Sequence, residues 1–209
     1  MHRNVVCISR VTGVGGEEVG RLVAEKLAVR YLDEEIIAQA AAKGGVSPAD
    51  VADAERRRSL LSRVLSELGS GHEAQGWAVT GIAPPVGGDE RAPALLKSLI
   101  VDVVNDVAEQ GDIVIGAHGA SFALAGRPDV LRVHIAASSE TRARRLVESA
   151  ELTSKAAEKL IRESDQSRAD YLRRFFGIES ELPIHYDLVV NTDTMSYEEA
   201  AELIALAAR

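Results

Sequence analysis

The sequence is poor in the residues that build several common kinds of site. It has one cysteine, Cys7, among 209 residues, which excludes an intramolecular disulfide and a cysteine-rich zinc site. The five histidines show no metal-ligand spacing, so no transition-metal site is predicted. No apolar run approaches the roughly 20 residues of a membrane-spanning helix, and the short run after Arg3 is no secretory signal core. These features predict a cytoplasmic protein that does not enter a membrane.

Positive charge is also in short supply. The chain has 24 Lys and Arg against 32 Asp and Glu, which gives a net charge of −8. We therefore expect no nucleic-acid partner, and any anionic ligand must be held by a local site. With 46% hydrophobic and 27% charged residues, the chain is long enough for one core and a small insertion. The sequence predicts a single domain, residues 1–209, and leaves open whether it forms a homo-oligomer.

Short apolar runs alternate with amphipathic segments along the chain. The runs predict strands at 4–8, 31–32, 113–115, 130–136 and 188–190. Apolar residues at three- and four-residue steps predict helices at 18–27 and 94–109. Further helices are predicted at 36–42, from residue 139, in the polar stretch 154–176 and at 197–208. This alternation predicts an α/β fold with a five-stranded parallel sheet covered by helices on both faces.

The strongest local signal is the glycine-rich turn between the first strand and the first helix. Gly13, Gly15 and Gly16 let backbone amides approach a phosphate, and the helix N-terminus adds partial positive charge. A full P-loop pattern continues with Lys and then Ser or Thr, where this chain has Gly16 and Glu17. The turn thus predicts a phosphate site, with a plain tight turn as the alternative. Glu17 would repel a phosphate it faced, favour the helix dipole, or reach a magnesium ion.

Further stretches match this turn to one group of proteins. They are residues 8–20, 31–33, 127–131, 162–177 and 186–193. Over nearly its whole length the chain resembles the cytidylate kinase-like family of P-loop proteins, relatives of nucleoside monophosphate kinases. The resemblance implies an acceptor-side insertion at 46–93 and a lid at 151–177. It also implies ATP and Mg²⁺ as cofactors, with the terminal phosphoryl group moving to a nucleoside monophosphate or related small acceptor.

The resemblance also assigns residues to the donor nucleotide. Those implied to contact it are Ser9, Gly13, Val14, Gly15, Gly16, Glu17, Asn191 and Thr192. For the last two, which would border the base, a turn-forming pair is the alternative. The magnesium ligands stay unassigned.

Three arginines are the candidate catalytic residues. Arg10 lies in the loop and could replace the charge of the missing lysine; a surface salt bridge is the alternative. Arg162 and Arg168 belong to the lid, where positive charge would offset the charge that develops during phosphoryl transfer. A solvated, ion-paired helix face is the alternative for that row.

On the acceptor side the candidates are Asp33 and His118. Asp33 follows the second strand and either faces the acceptor or caps a helix. His118 stands where related proteins have Arg, and it either contacts the acceptor or simply lines the crevice. These departures keep a rival open, a catalytically impaired sensor module that binds a nucleotide or another anion. A kinase acting on a non-nucleotide substrate is a third possibility.

Overall fold

The computed structural model describes residues 3–45, 48, 91–116 and 119–209. These ranges include the glycine-rich turn, all five predicted strands and the predicted lid at 151–177. The insertion predicted at 46–93 lies almost entirely outside them, and so does His118.

A parallel sheet forms the centre of the fold. Its strands are β1 (Val5–Arg10), β2 (Arg30–Leu32), β3 (Ile113–Gly116), β4 (Val130–Ala136) and β5 (Leu188–Asn191). The order is β2-β3-β1-β4-β5 and every pairing is parallel. In the middle, Val5 lies in register with Ile113 on one side and Val130 on the other. The predicted five-stranded parallel sheet is confirmed.

Helices cover both faces of the sheet. They are α1 (Gly16–Leu27), α2 (Glu34–Gly44), α3 (Arg91–Gln110), α4 (Ala120–Ala123), α5 (Ser139–Ala150), α6 (Ser154–Phe176) and α7 (Tyr197–Ala208). The sequence pattern did not predict α4 or the 3₁₀ turn Pro183–His185, because elements this short show no periodicity. None of the helices described has the length and apolar character needed to span a bilayer.

Alternation along β1 produces two cores. Val5 and Cys7 face a cluster that includes Ile36 of α2 and Ile100 of α3. Side chains one position on in the strand point to the opposite face, where a second cluster includes residues of α1 and α7. Burial raises the pKa of the Cys7 thiol to about 12, so it stays protonated and unreactive, as expected for a core cysteine.

The polar candidates gather at the carboxyl ends of the strands. Ser9 and Arg10 end β1, Asp33 follows β2, and Thr192 follows β5. Since all strands are parallel, these residues share one edge of the sheet, which is where open α/β sheets bind ligands.

Candidate functional site

The loop between β1 and α1 has the backbone that its glycines allow. Gly13 has φ +85° and Gly15 has φ +75°, in the left-handed region that favours glycine. Gly15 is the N-cap of α1, and its carbonyl accepts the first helical hydrogen bond from the N–H of Val19, at 3.0 Å. The predicted passage from glycine-rich turn to helix is therefore present.

A continuous run of backbone donors begins in this loop. Within residues 3–45, 91–116 and 119–209, none of the seven N–H groups from Thr12 to Glu18 donates a hydrogen bond. A helix start alone leaves about four such groups without a partner, so the loop extends the run. Together with the partial positive charge of the α1 N-terminus, these donors suit an anion.

The carbonyl groups of the same loop are held by side chains from other elements. Arg142 Nε donates to Thr12 O at 2.6 Å. Val14 O accepts from Arg145 Nη1 at 3.3 Å and from Thr192 Oγ1 at 3.0 Å. α5 and the residue after β5 thus fix the loop from outside while its amides are left for a ligand.

Two glycines are needed because side chains lie directly against them. A Cβ at Gly15 would lie 2.2 Å from Cζ of Tyr197, and one at Gly16 would lie 2.6 Å from Cβ of Arg10. Glu17, the next residue, is exposed and accepts a hydrogen bond from Arg21 Nη2 at 2.9 Å, one helical turn on. Its carboxylate is engaged on the surface of α1.

Arg10 links the loop to Asp33 at the carboxyl end of β2. Its Nη2 donates to Oδ2 of Asp33, which also accepts from the hydroxyl of Tyr31 at 3.1 Å. Asp33 is buried and is the N-cap of α2, yet its side chain makes no capping hydrogen bond. The sequence left two interpretations of Asp33, a helix cap or a residue that faces the acceptor. Its carboxylate does not act as a cap, because it accepts hydrogen bonds from Arg10 and Tyr31 instead.

Tyr31 fits between α1 and β3 to reach Asp33. A Cβ at Gly20 of α1 would lie 2.6 Å from Cε2 of the ring, and one at Gly116 of β3 would lie 2.5 Å from its hydroxyl oxygen. Burial raises the pKa of the Tyr31 phenol, and the neighbouring Asp33 charge adds to this effect. The phenol therefore stays protonated and keeps its hydrogen for Asp33.

A second polar cluster lies under α6. Arg168 Nε donates to Glu181 Oε2 at 2.7 Å, and its Nη2 donates to Glu181 Oε1 and to the hydroxyl of Ser9. The hydroxyl of Tyr186 also donates to Glu181, and the Tyr186 ring stacks on His134 with 4.9 Å between centroids. Arg168 is buried, and its hydrogen bond to Ser9 joins α6 to the central strand.

The charges in this cluster are fixed by their surroundings. Burial alone would raise the pKa of Glu181, but the hydrogen bonds and charge of Arg168 outweigh it and lower the pKa to about 2. Burial lowers the pKa of His134, which keeps the imidazole neutral near pH 7. Burial also raises the pKa of the Tyr186 phenol. The result is one internal ion pair, Arg168 with Glu181, among neutral hydrogen-bonding groups.

α6 is also joined to the glycine loop. Arg142 makes a two-pronged ion pair with Asp165, at 2.9 and 2.6 Å, while it holds Thr12 O. The hydroxyl oxygens of Thr12 and Ser164 lie 2.6 Å apart. Arg162, one turn before Asp165, is exposed and forms no ion pair with any residue that the structure describes. The predicted row of lid residues is thus divided between buried and solvent-facing positions.

The residues predicted near the donor base have different surroundings. Thr192 is fully buried, and its hydroxyl accepts from Arg145 Nη1 at 3.1 Å in addition to its bond to Val14 O. Asn191 is exposed, and its Oδ1 accepts from the N–H of Asp193 at 2.9 Å. Thr192 supports the loop, whereas Asn191 is accessible.

Several contributors to the site were missed at the sequence level. Arg142 and Arg145 stood three residues apart on a helix after β4, a spacing that could have marked them as one face directed at the strand ends. Glu181 and Tyr186 lie between α6 and β5 in a stretch without periodicity, and the sequence carries no signal for their burial.

The side chains do not form a resident metal site in the part of the chain that is described. No group of three or more His, Cys, Asp or Glu is arranged there to hold a metal ion. Glu17, the carboxylate in the position of the P-loop hydroxyl, is engaged with Arg21. The residues present therefore fit a polyanion through backbone amides better than they fit a bare cation.

Comparison with known proteins agrees with this geometry. A family model described as the cytidylate kinase-like family matches residues 5–194. No curated protein sequence matches the chain. Among solved structures, an uncharacterized protein from Eubacterium ventriosum is 15% identical with a TM-score of 0.66, covering 98% of this chain and 97% of that one.

Two shikimate kinases have the same fold. The enzyme from Bacteroides thetaiotaomicron is 13% identical with a TM-score of 0.51, covering 97% of each chain. The enzyme from Acinetobacter baumannii, solved with shikimate, is 14% identical with a TM-score of 0.50, covering 97% of this chain and 91% of that one. At these identities the likeness shows a P-loop kinase fold and nothing about the substrate.

Proposed function

Because this chain belongs to the cytidylate kinase-like family, we propose that it is an ATP-dependent phosphotransferase. It would move the terminal phosphoryl group of ATP to a nucleoside monophosphate or related small acceptor. An acceptor oxygen forms a bond to the γ-phosphorus, the bond from that phosphorus to the bridging oxygen breaks, and ADP leaves. The observation that carries the proposal is the run of amides from Thr12 to Glu18 that have no partner among the described residues.

The donor phosphates would be held mainly by backbone groups. Gly13, Gly15 and Gly16 give the loop its shape, while the side chain of Val14 is buried in the core and that of Ser9 is engaged with Arg168. Mg²⁺ would neutralise part of the phosphate charge and arrive bound to ATP, since no described side-chain cluster holds it. Asn191 is the accessible residue proposed to border the base, and Thr192 supports the loop beneath it.

Positive charge for the transferred group would come from Arg10 and the lid. Arg162 is exposed on α6 and has no ion-pair partner among the described residues, so it can turn toward a bound nucleotide. Arg168 is paired with Glu181 on two sides, and its Nη1 is buried without a partner in the described chain. We propose that Arg162 contacts the phosphates and that Arg168 chiefly holds the lid in place.

The acceptor would lie beside Asp33, at the carboxyl end of β2. Asp33 is positioned by Arg10 and Tyr31, so it presents a fixed carboxylate edge to that side. His118, which lies outside the described residues, stays a predicted neighbour of the acceptor. A cytoplasmic location likewise stays a prediction.

One observation favours the rival, a sensor module that binds a nucleotide without turnover. α6 is already joined to the loop through Thr12 with Ser164, and through Arg142 with Asp165. A lid held in this way would stay in one position, so the movement that brings catalytic groups over ATP and an acceptor would not take place.

Calorimetry with ATP, with and without Mg²⁺, followed by an ADP-release screen over nucleoside monophosphates, tests both functions. The enzyme binds ATP and releases ADP with at least one acceptor, whereas the sensor binds ATP and releases none. Failure to bind either ATP or GTP would contradict both.

A matched pair of arginine variants on α6 then tests the lid. Arg162→Ala is expected to lower kcat by about 10- to 100-fold while leaving the affinity for ATP within a few-fold. Arg173→Ala removes an exposed arginine of the same helix, whose one ion-pair partner among the described residues is Asp170, and should leave kcat unchanged. Equal kcat for both variants would remove Arg162 from the mechanism.

A further inference from the structure

The glycine loop departs from the P-loop pattern at two positions in a reciprocal way. The pattern reads Gly, four variable residues, Gly, Lys and then Ser or Thr. When its second glycine is placed on Gly15, its first glycine falls on position 10 and its lysine on position 16. This chain has Arg10 and Gly16 there. Glycine and the basic residue have exchanged places.

The structure supplies a physical reason for the exchange. A Cβ at position 16 would lie 2.6 Å from Cβ of Arg10 and 2.7 Å from its Cδ. The Cβ of Arg10 is attached to the backbone of the central strand, so rotating the arginine side chain cannot move it away. Only one of the two positions can therefore carry a side chain in this backbone.

Charge can reach the loop from position 10. The stem of Arg10 runs over Gly16, the first residue of α1, within the run of amides that have no partner in the described part of the chain. Its Nη2 is used by Asp33, and its Nε is buried with no hydrogen-bond partner in the described chain. The stem of Arg10 thus passes the first residue of α1, while its guanidinium is held by Asp33 and keeps donor capacity at Nε.

We propose that Arg10 supplies the phosphate-binding charge that a P-loop lysine would supply, and that positions 10 and 16 share the space for one side chain. This inference rests on the proposed function and names the residue that replaces the lysine. It also gives Gly16 a role, because a glycine there leaves room for the stem of Arg10. The loop is then a P-loop with its cation relocated.

Four variants test the relocation, each measured by calorimetry with MgATP and by thermal unfolding. Arg10→Gly should weaken ATP binding by about 10- to 100-fold, as expected for loss of a charged hydrogen bond. Gly16→Lys should lower the melting temperature by several degrees, since two Cβ atoms are forced together. Arg10→Gly combined with Gly16→Lys restores the usual pattern, and should return the affinity to within about threefold of the wild type.

The matched control is Arg10→Ala combined with Gly16→Lys. Alanine keeps the Cβ at position 10, so the clash of 2.6 Å stays and this variant should melt well below the glycine-containing double variant. Neither double variant has the ion pair between position 10 and Asp33. If only the glycine-containing double variant regains stability and ATP affinity, that gain therefore cannot come from the ion pair.

Three results would overturn the inference. They are Gly16→Lys with the stability of the wild type, Arg10→Gly with the ATP affinity of the wild type, and equal melting temperatures for the two double variants. A wild-type protein that binds no ATP would instead defeat the proposed function and the charge assignment together. The melting temperatures of the four variants would still decide whether positions 10 and 16 have room for only one side chain.

Discussion

Arg168 of α6 and Glu181 form a two-pronged ion pair, and the same guanidinium donates to Ser9 of the central strand. The side chains are only 7% and 17% exposed. Removing one partner of a buried pair leaves an uncompensated charge, which typically costs about 3–5 kcal/mol. The contact therefore couples the position of α6 to the stability of the whole fold.

Acid should weaken the fold through Glu181. Its pKa is lowered from 4.5 to about 2, so between these values the unfolded chain binds more protons than the folded one. The contribution is present above pH about 5, is lost as the pH falls toward 2, and amounts to about 3 kcal/mol. Urea unfolding of the wild type and of Glu181→Gln at pH 6 and pH 2 measures it. The difference between the two proteins should shrink by about that amount at pH 2; a constant difference would show that Glu181 titrates normally.

Arg142 and Asp165 should show strong energetic coupling between the glycine loop and α6. Their ion pair is two-pronged, and Arg142 also holds Thr12 O, so we expect a coupling energy of about 1–3 kcal/mol. A double-mutant cycle of Arg142→Met with Asp165→Asn, followed by urea unfolding, measures it. The exposed pair of Arg173 and Asp170 on the same helix should give about 0.5 kcal/mol or less. Similar values for the two cycles would argue against a link between loop and lid.

Gly15→Ala should destabilise the fold more than alanine at a comparable glycine. At Gly15 the new Cβ would meet the Tyr197 ring at 2.2 Å, and φ is +75°. We expect a loss of about 1–2 kcal/mol from the backbone and about 1–3 kcal/mol more from the clash. Gly177 has φ +69° but no described atom within 4 Å of its Cβ position, so Gly177→Ala should show the backbone cost alone. Chemical denaturation compares them, and equal losses would mean that Tyr197 moves aside freely.

Thr192→Val should lower the stability and loosen the loop together. The change removes the hydroxyl that donates to Val14 O and accepts from Arg145 Nη1, and the loss of these two hydrogen bonds should cost about 1–3 kcal/mol. Arg145 Nη1 and Val14 O keep their contact with each other at 3.3 Å. Thr192→Ser keeps the hydroxyl and should lose less stability. Hydrogen exchange at the loop amides should rise in the valine variant and stay close to that of the wild type in the serine variant. Unchanged exchange in both would show that Thr192 does not hold the loop.

The strands and long helices were predictable because their signal is local. The apolar run of β1 and the three- and four-residue spacing of α3 are set by neighbours in sequence, and both elements appear within a few residues of their predicted bounds. The strand order β2-β3-β1-β4-β5 was not predicted, since it depends on contacts between distant segments.

The site was predictable where its chemistry is built into the backbone. The glycines of the loop predict a turn that leads into a helix, and the structure has this turn and helix. The burial of Arg168 could not be read from its spacing, because a charged row on a helix is usually solvated. It is buried here because Glu181, 13 residues further on, folds back to meet it.

Tyr31 restricts which substitutions are possible at Gly20 and Gly116. Its ring and hydroxyl fill the spaces that side chains at Gly20 and Gly116 would need, at 2.6 and 2.5 Å. The three positions therefore form a steric unit, in which a larger residue at either glycine becomes tolerable only after the tyrosine has been shortened. Substitutions there should accumulate in a fixed order, with position 31 changing first.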